Sequence, residues 1–203
     1  LYTKPNHVKV IGSTLYFSAA DGQYTDLWKT DGTTTGTVKV KDFVYLNEKS
    51  DFVSQGSKLY FSATTSTGGD YDLWYSSGSS SSTADLTSSL SIEQVGNLVT
   101  LNSKIYFSAY NSNTGRELYV SDGTASGTTM VGDFTSGSDN TIYSWDSKII
   151  STGSEVIFEG LNPSGSSDDH RSLWVSDGTT SGTYSMSTLC TGCNPESVSY
   201  THL

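Results

Sequence analysis

Four apolar-aromatic runs recur along the chain: Leu15–Ala19 (LYFSA), Leu59–Ala63 (LYFSA), Ile105–Ala109 (IYFSA) and Val156–Gly160 (VIFEG). Each is followed by a variable polar loop and a second short run, at Asp26–Lys29, Asp72–Tyr75, Glu117–Val120 and Ser172–Val175. Short runs rich in aromatic and β-branched side chains, bounded by Gly, Ser, Asp and Asn, predict strands rather than helices. A third strand is predicted over Thr37–Phe43 in the first unit and Thr128–Phe134 in the third. Another precedes the aromatic run, at His7–Ile11 in the first unit and at Ser50–Val53 in the second. The linkers Gly12-Ser13-Thr14 and Gln55-Gly56-Ser57-Lys58 have the composition of hairpin turns.

The unit is thus four short strands in about 45 to 55 residues, a period within the range of propeller blades. Antiparallel strands joined by tight loops form one twisted sheet, and a lone sheet cannot bury both faces. Four-stranded sheets stacked radially make a β-propeller. The predicted fold is all-β: a β-propeller-type array of four four-stranded antiparallel repeats in a single domain, 1–203. The repeats fall at 7–49, 50–94, 95–140 and 141–189, and 190–203 begins a further one. Val10 matches Val198 in phase, and Leu15 matches Leu203. The array is therefore expected to belong to a larger propeller. Its in-phase ends, 1–14 and 190–203, are expected to mediate self-association by strand addition.

One polar octet separates the third and fourth strands of every unit. It reads TDGTTTGT at 30–37, SSGSSSST at 76–83, SDGTASGT at 121–128 and SDGTTSGT at 176–183. Asp starts a turn because its carboxylate accepts nearby backbone N–H groups, and Gly supplies positive φ. The pairs Asp31-Gly32, Asp122-Gly123 and Asp177-Gly178 are accordingly expected to form a structural turn. The alternative is a repeated Ca²⁺ or sugar contact. Ca²⁺ wants six or more oxygens, which one Asp per loop does not supply alone. Ser77 stands where the other copies have Asp, a change a joint tolerates better than a metal site. No cofactor is expected, with Ca²⁺ as the alternative.

The formal net charge is -10, and no cluster of Lys or Arg interrupts it. Such a field repels phosphate, so nucleic acid is not an expected partner. No run approaches the length of a membrane-spanning helix, so membrane insertion is not expected. Cys190 and Cys193 lie in Cys-Thr-Gly-Cys. Their flanks lack a helical pattern and the three His residues lack ligand spacing to them, so the pair reads as a small disulfide clip, with free thiols or a metal as alternatives.

Catalytic constellations are weak. His170 follows Asp168-Asp169 in the insert Asn162–Arg171, which reads as a solvated loop tip. Asp72 and Glu117 could serve glycoside hydrolysis as paired carboxylates, but they hold the same repeat position, which favours a structural role. Trp28, Trp74, Tyr119 and Trp174 could stack on sugars, but their fixed phase favours packing between blades. The protein is expected not to be an enzyme.

The units DLWKTDGTTTGT, ELYVSDGTASGT and SLWVSDGTTSGT resemble the ELWxxDGT repeats of bacterial and archaeal surface and secreted proteins, over residues 7 to 189. The second copy departs from the motif at SSGSSSST, and the third has Tyr119 for Trp. The resemblance implies an extracellular or cell-surface β-propeller module and supplies no catalytic residues. The expected function is structural, as a subunit or segment of a filament, sheath or adhesin assembly. The alternative is a propeller that binds glycans or surface proteins through the variable loops Ala20–Thr25, Thr64–Tyr71, Tyr110–Arg116 and Leu161–Arg171.

Overall fold

The structure, a computed structural model, describes residues 5–135, 137–144, 147–161 and 171–186. These form an all-β array of antiparallel sheets in chain order. The first contains β1 (Asn6–Ile11), β2 (Thr14–Ala20), β3 (Thr25–Thr30) and β4 (Val38–Lys41). The second contains β5 (Tyr45–Leu46), β6 (Val53–Gln55), β7 (Lys58–Thr64), β8 (Asp72–Ser76) and β9 (Thr83–Asp85). The third contains β10 (Glu93–Leu101), β11 (Lys104–Asn111), β12 (Gly115–Ser121) and β13 (Thr128–Met130). The fourth contains β14 (Ile149–Ser151), β15 (Val156–Leu161), β16 (Arg171–Ser176) and β17 (Thr183–Ser185).

The second sheet has five strands where four were expected. Both β5 and β6 pair with β7, at Tyr45↔Thr64 and at Val53↔Tyr60. They are one inner strand interrupted by residues 47–52. The fourth sheet repeats this, with an isolated bridge Ile142↔Gly160 ahead of β14. In the third sheet the inner strand runs unbroken but shifts register twice. Pairing also moves the seams between repeats. Tyr45–Leu46 falls within the expected first repeat yet belongs to the second sheet, and β10 begins at Glu93, ahead of residue 95. The strand expected at Ser50–Val53 starts only at Val53, because the Ser50 N–H is bound to the Asn47 carbonyl in a turn.

The strands expected to reach Phe43 and Phe134 stop at Lys41 and Met130. Beyond them the chain turns toward the next sheet. The Phe43 ring meets Trp74 edge-on at 5.0 Å, and Phe134 meets Trp174 at 5.5 Å. The aromatic ends of these segments pack on a neighbouring sheet instead.

Directly opposed residues in an antiparallel pair share a face. In the first sheet Phe17 pairs with Trp28, and Tyr16 with Lys29 on the other face. The same split recurs, so each sheet has a back face bearing the Phe and Trp (or Tyr119) and a forward face bearing the Tyr, replaced in the fourth sheet by Ile157. Forward faces pack on the back face of the next sheet. Tyr16, Leu27 and Val40 lie against Leu59, Phe61 and Trp74. Tyr60 and Leu73 lie against Ile105, Phe107 and Tyr119. Tyr106, Leu118 and Val120 lie against Val156, Phe158 and Trp174. The middle sheets are therefore covered on both sides: every residue of β12 is buried, and so is β7 beyond Lys58. Burial on both faces explains why these runs read as continuously apolar rather than alternating.

Candidate functional site

Two features could carry function: the repeated octet and the cleft between the inner strands. In all four octets the first and last hydroxyls bond at 2.7 Å: Thr30 to Thr37, Ser76 to Thr83, Ser121 to Thr128 and Ser176 to Thr183. The first hydroxyl also accepts the N–H of the third residue, Gly32, Gly78, Gly123 or Gly178, at 3.0 Å. These glycines have φ between +90° and +97°, which a side chain resists.

The Asp carboxylates turn inward on their own loops. Asp31 Oδ1 accepts the Thr33 N–H at 2.9 Å and the Thr33 hydroxyl at 2.7 Å. Asp122 does the same with Thr124, and Asp177 with Thr179. These bonds hold all three carboxyls below their ordinary pKa. Each carboxylate also lies where a Cβ on the second glycine would stand, at Gly36, Gly127 and Gly182. Among the described residues, no three His, Cys, Asp or Glu side chains gather as a metal site.

The degenerate second octet keeps this scheme by a paired exchange. Ser77 replaces the Asp and Ser82 replaces the glycine that the carboxylate would cover. Ser82 Oγ then accepts the Ser79 N–H at 3.1 Å and bonds the Ser79 hydroxyl at 2.8 Å. The acceptor has moved from the second position to the seventh, and Ser80–Ser82 forms a short 3₁₀ turn.

The first glycine of the octet faces the preceding sheet. A Cβ on Gly78 would meet the Tyr16 hydroxyl at 2.6 Å. The same position on Gly123 is taken by Tyr60 and Gln55, and on Gly178 by Tyr106. Gln55 also donates to the Asp122 carbonyl at 3.1 Å. The octet therefore closes its own hairpin and seats a tyrosine from the sheet before it. This second role was not legible in a single repeat, since the partners lie in different units.

Asp72 and Glu117, weighed as paired carboxylates, and Asp26 at the same repeat position are engaged in hydrogen bonds within the fold. The Asp26 carboxylate accepts the Phe43 N–H at 3.1 Å, and Glu117 accepts the Thr141 N–H at 2.9 Å. Asp72 accepts the Thr87 hydroxyl at 3.4 Å. Each anchors the crossover that leaves its own sheet, and Asp72 and Glu117 stand in separate sheets. Burial pushes the Glu117 carboxyl up to about 8, and burial with Asp85 nearby raises Asp72 to about 6. Glu117 Oε2 is buried without a hydrogen-bond partner. Trp74, Tyr119 and Trp174 lie inside the layers between sheets, whereas Trp28 is half-buried on the outer side of the first sheet with Lys39 over its ring. Asp168, Asp169, His170, Cys190, Cys193 and the segment 190–203 lie outside the described residues.

A cleft of about 560 Å³ opens where the inner strands converge, lined by Glu48, Lys49, Asp51, Asn97, Lys148 and Ile150 among others. Charge of both signs lines it. A smaller hollow of about 280 Å³ is bounded by Asp70 and Tyr71 of one variable loop and by Gln94. No described helix is long and apolar enough to cross a membrane.

No family model matches the sequence, and no curated protein matches it. Similarity to solved structures is clear in fold. The acylaminoacyl peptidase of Pyrococcus horikoshii aligns with a TM-score of 0.56 at 14% identity, over 90% of this chain and 27% of that one. A puromycin-hydrolysing peptidase of Mycobacterium tuberculosis aligns at 0.57 and 12% identity, over 91% of this chain and 28% of that one. The β-propeller domain of the Trilobed protease from Pyrococcus furiosus aligns at 0.53 and 15% identity, over 93% of this chain and 55% of that domain. This chain thus spans between about a quarter and about half of those structures, and at such identities the likeness speaks for fold alone. The four stacked antiparallel sheets are a β-propeller-like array.

Proposed function

We propose that the chain is a non-enzymatic structural module of an exported, cell-surface assembly, of the ELWxxDGT-repeat type. One observation carries the reading: the repeated polar groups are engaged in joining strands and sheets. The octet carboxylates bind their own loops, the octet glycines seat tyrosines, and Asp26 and Glu117 hold crossovers. A repeat whose recurrent chemistry is spent on stacking is suited to building length. Negative-stain electron microscopy of native material, with the chain labelled by antibody, tests this. Labelled fibres or sheets at the cell surface are expected. Label confined to discrete particles inside the cell would reject it.

A second reading is a binding module for glycans or surface proteins. The cleft beside Lys49, Asp51 and Lys148 favours it, because mixed charge on a fixed scaffold suits polar ligands. Saturable binding to a glycan, lost in Lys148→Ala, would establish it over the structural role.

A further inference from the structure

The hollow of about 280 Å³ lies between the second and third sheets, both of which are covered by a neighbour on each side. Gly69, Asp70 and Tyr71 of the variable loop line one side, Gln94 and Gly96 of β10 the other, and Asn47 completes the lining. The two sides are tied together. The Val95 N–H donates to the Tyr71 carbonyl at 2.8 Å, and Asn47 Nδ2 donates to the Val95 carbonyl at 3.3 Å. The hollow is therefore preformed. Its volume lies just under the range usual for small-molecule pockets, about 300–1,000 Å³, so it suits one ring rather than a chain.

Gln94 is exposed, yet the fold holds it firmly. Its φ is +53°, in the left-handed region that a side chain resists. The pairing of β10 with β11 shifts register between Glu93 and Gly96, so Gln94 sits in a bulge, which re-aims a side chain. Behind it stands Arg116 of β12, 4% exposed, with which no carboxylate pairs among the described residues. Its guanidinium donates from Nη1 to the Gln94 carbonyl at 3.0 Å and from Nη2 to Gln94 Oε1. A buried charge without a counter-ion is costly, and here it fixes one exposed amide. Because a guanidinium only donates, Gln94 must turn Oε1 toward it, which leaves the Nε2 donor to the hollow.

The hollow thus offers a donor at Gln94, a charged acceptor at Asp70 and the half-buried ring of Tyr71. A cationic ligand would meet the charge of Arg116, and an anionic one that of Asp70. A neutral hydroxyl both donates and accepts, so it satisfies both sides. We propose that this hollow binds one neutral pyranose ring, with hydroxyls on Asp70 and Gln94 and its apolar face on Tyr71, and that Arg116 is the positioning residue for Gln94. The proposal rests on the reading of the array as a glycan-binding module, and it places the sugar in this hollow rather than in the cleft beside Lys148.

The test is saturation-transfer NMR on the 203-residue chain, with glucose, galactose, mannose and N-acetylglucosamine as probes, each free and as its methyl glycoside. Saturable transfer to at least one of them at millimolar concentration is expected. Transfer to a methyl glycoside assigns the end of a glycan, since the methyl stands in for the rest of the chain, and transfer to the free form alone assigns a free sugar. Gln94→Glu keeps an acceptor for Arg116 but removes the donor, so it should fold as well as wild type and bind about tenfold more weakly or worse. Asp70→Ala, on the exposed loop, is the second variant and should weaken binding likewise. Lys148→Ala should leave it unchanged. No transfer to any of the probes overturns the proposal, and so does binding indifferent to both Gln94→Glu and Asp70→Ala. Binding lost in Lys148→Ala and kept in those two variants would leave the glycan-binding reading standing and reject this site.

Discussion

The Tyr16 hydroxyl of the first sheet lies 2.6 Å from where a Cβ on Gly78 of the second would stand. The glycine thus has two reasons to be glycine, its φ of +97° and the tyrosine above it. Gly32 has only the first. Gly32→Ala should therefore cost only backbone strain, about 1–2 kcal/mol. Gly123→Ala should cost that plus about 1–3 kcal/mol for overpacking against Tyr60 and Gln55. Urea denaturation of both variants checks the difference, and equal costs would mean the tyrosine yields without penalty.

The exchange between Ser77 and Ser82 predicts a coupling. In the third octet the Asp122 carboxylate covers Gly127, so Gly127→Ser should destabilise the fold. Adding Asp122→Ser should recover much of the loss, because the new hydroxyl at 127 can take over the acceptor role that Ser82 has. A favourable coupling of about 0.5–3 kcal/mol is expected, in the range for residues in contact. Additive costs would mean that the second octet holds its shape for another reason.

Glu117 predicts a pH dependence. Its carboxyl titrates near 8 in the folded chain against an ordinary value of 4.5. The folded state therefore holds this proton where the unfolded state has lost it, and stability falls as pH rises from 4.5 to 8. The slope from this group is at most about 1.4 kcal/mol per pH unit. Asp72 adds the same sign between 3.8 and about 6. Asp31, Asp122 and Asp177 have lowered pKa values, so their contribution is lost only as pH falls below the ordinary carboxylate range. Glu117→Gln should flatten the slope above about pH 6 in denaturation curves. A slope unchanged in the variant would assign it elsewhere.

The octet also predicts indifference to Ca²⁺. Asp31, Asp122 and Asp177 already accept two hydrogen bonds each from the next Thr but one. Removal of divalent cations with a chelator should leave the melting temperature unchanged. A fall of several degrees, reversed by Ca²⁺, would make the octet a metal loop.

Much of the fold was legible because local chemistry repeats. The LYF runs became β2, β7 and β11, and each octet lies between the third and fourth strand positions of its sheet. What the sequence hid was relations between units. Phe43 reads as the end of a strand, yet its ring completes the next layer against Trp74. Tyr45–Leu46 is too short to stand out, and pairing with β7 across an intervening loop makes it a strand. Tyr60 over Gly123 links residues whose spacing carries no local signal. The paired change at Ser77 and Ser82 was visible as letters, but its meaning needed the carboxylate's position over the second glycine.

The central claim is that the octet joins neighbouring sheets through a tyrosine seated on its glycine. A double-mutant cycle on Tyr60 and Gly123 tests it most directly. In a Tyr60→Ala background, Gly123→Ala should lose the part of its overpacking cost that Tyr60 causes and keep the contact with Gln55 and the backbone strain of about 1–2 kcal/mol. Costs that simply add would show that Tyr60 and Gly123 do not interact, and would contradict the account.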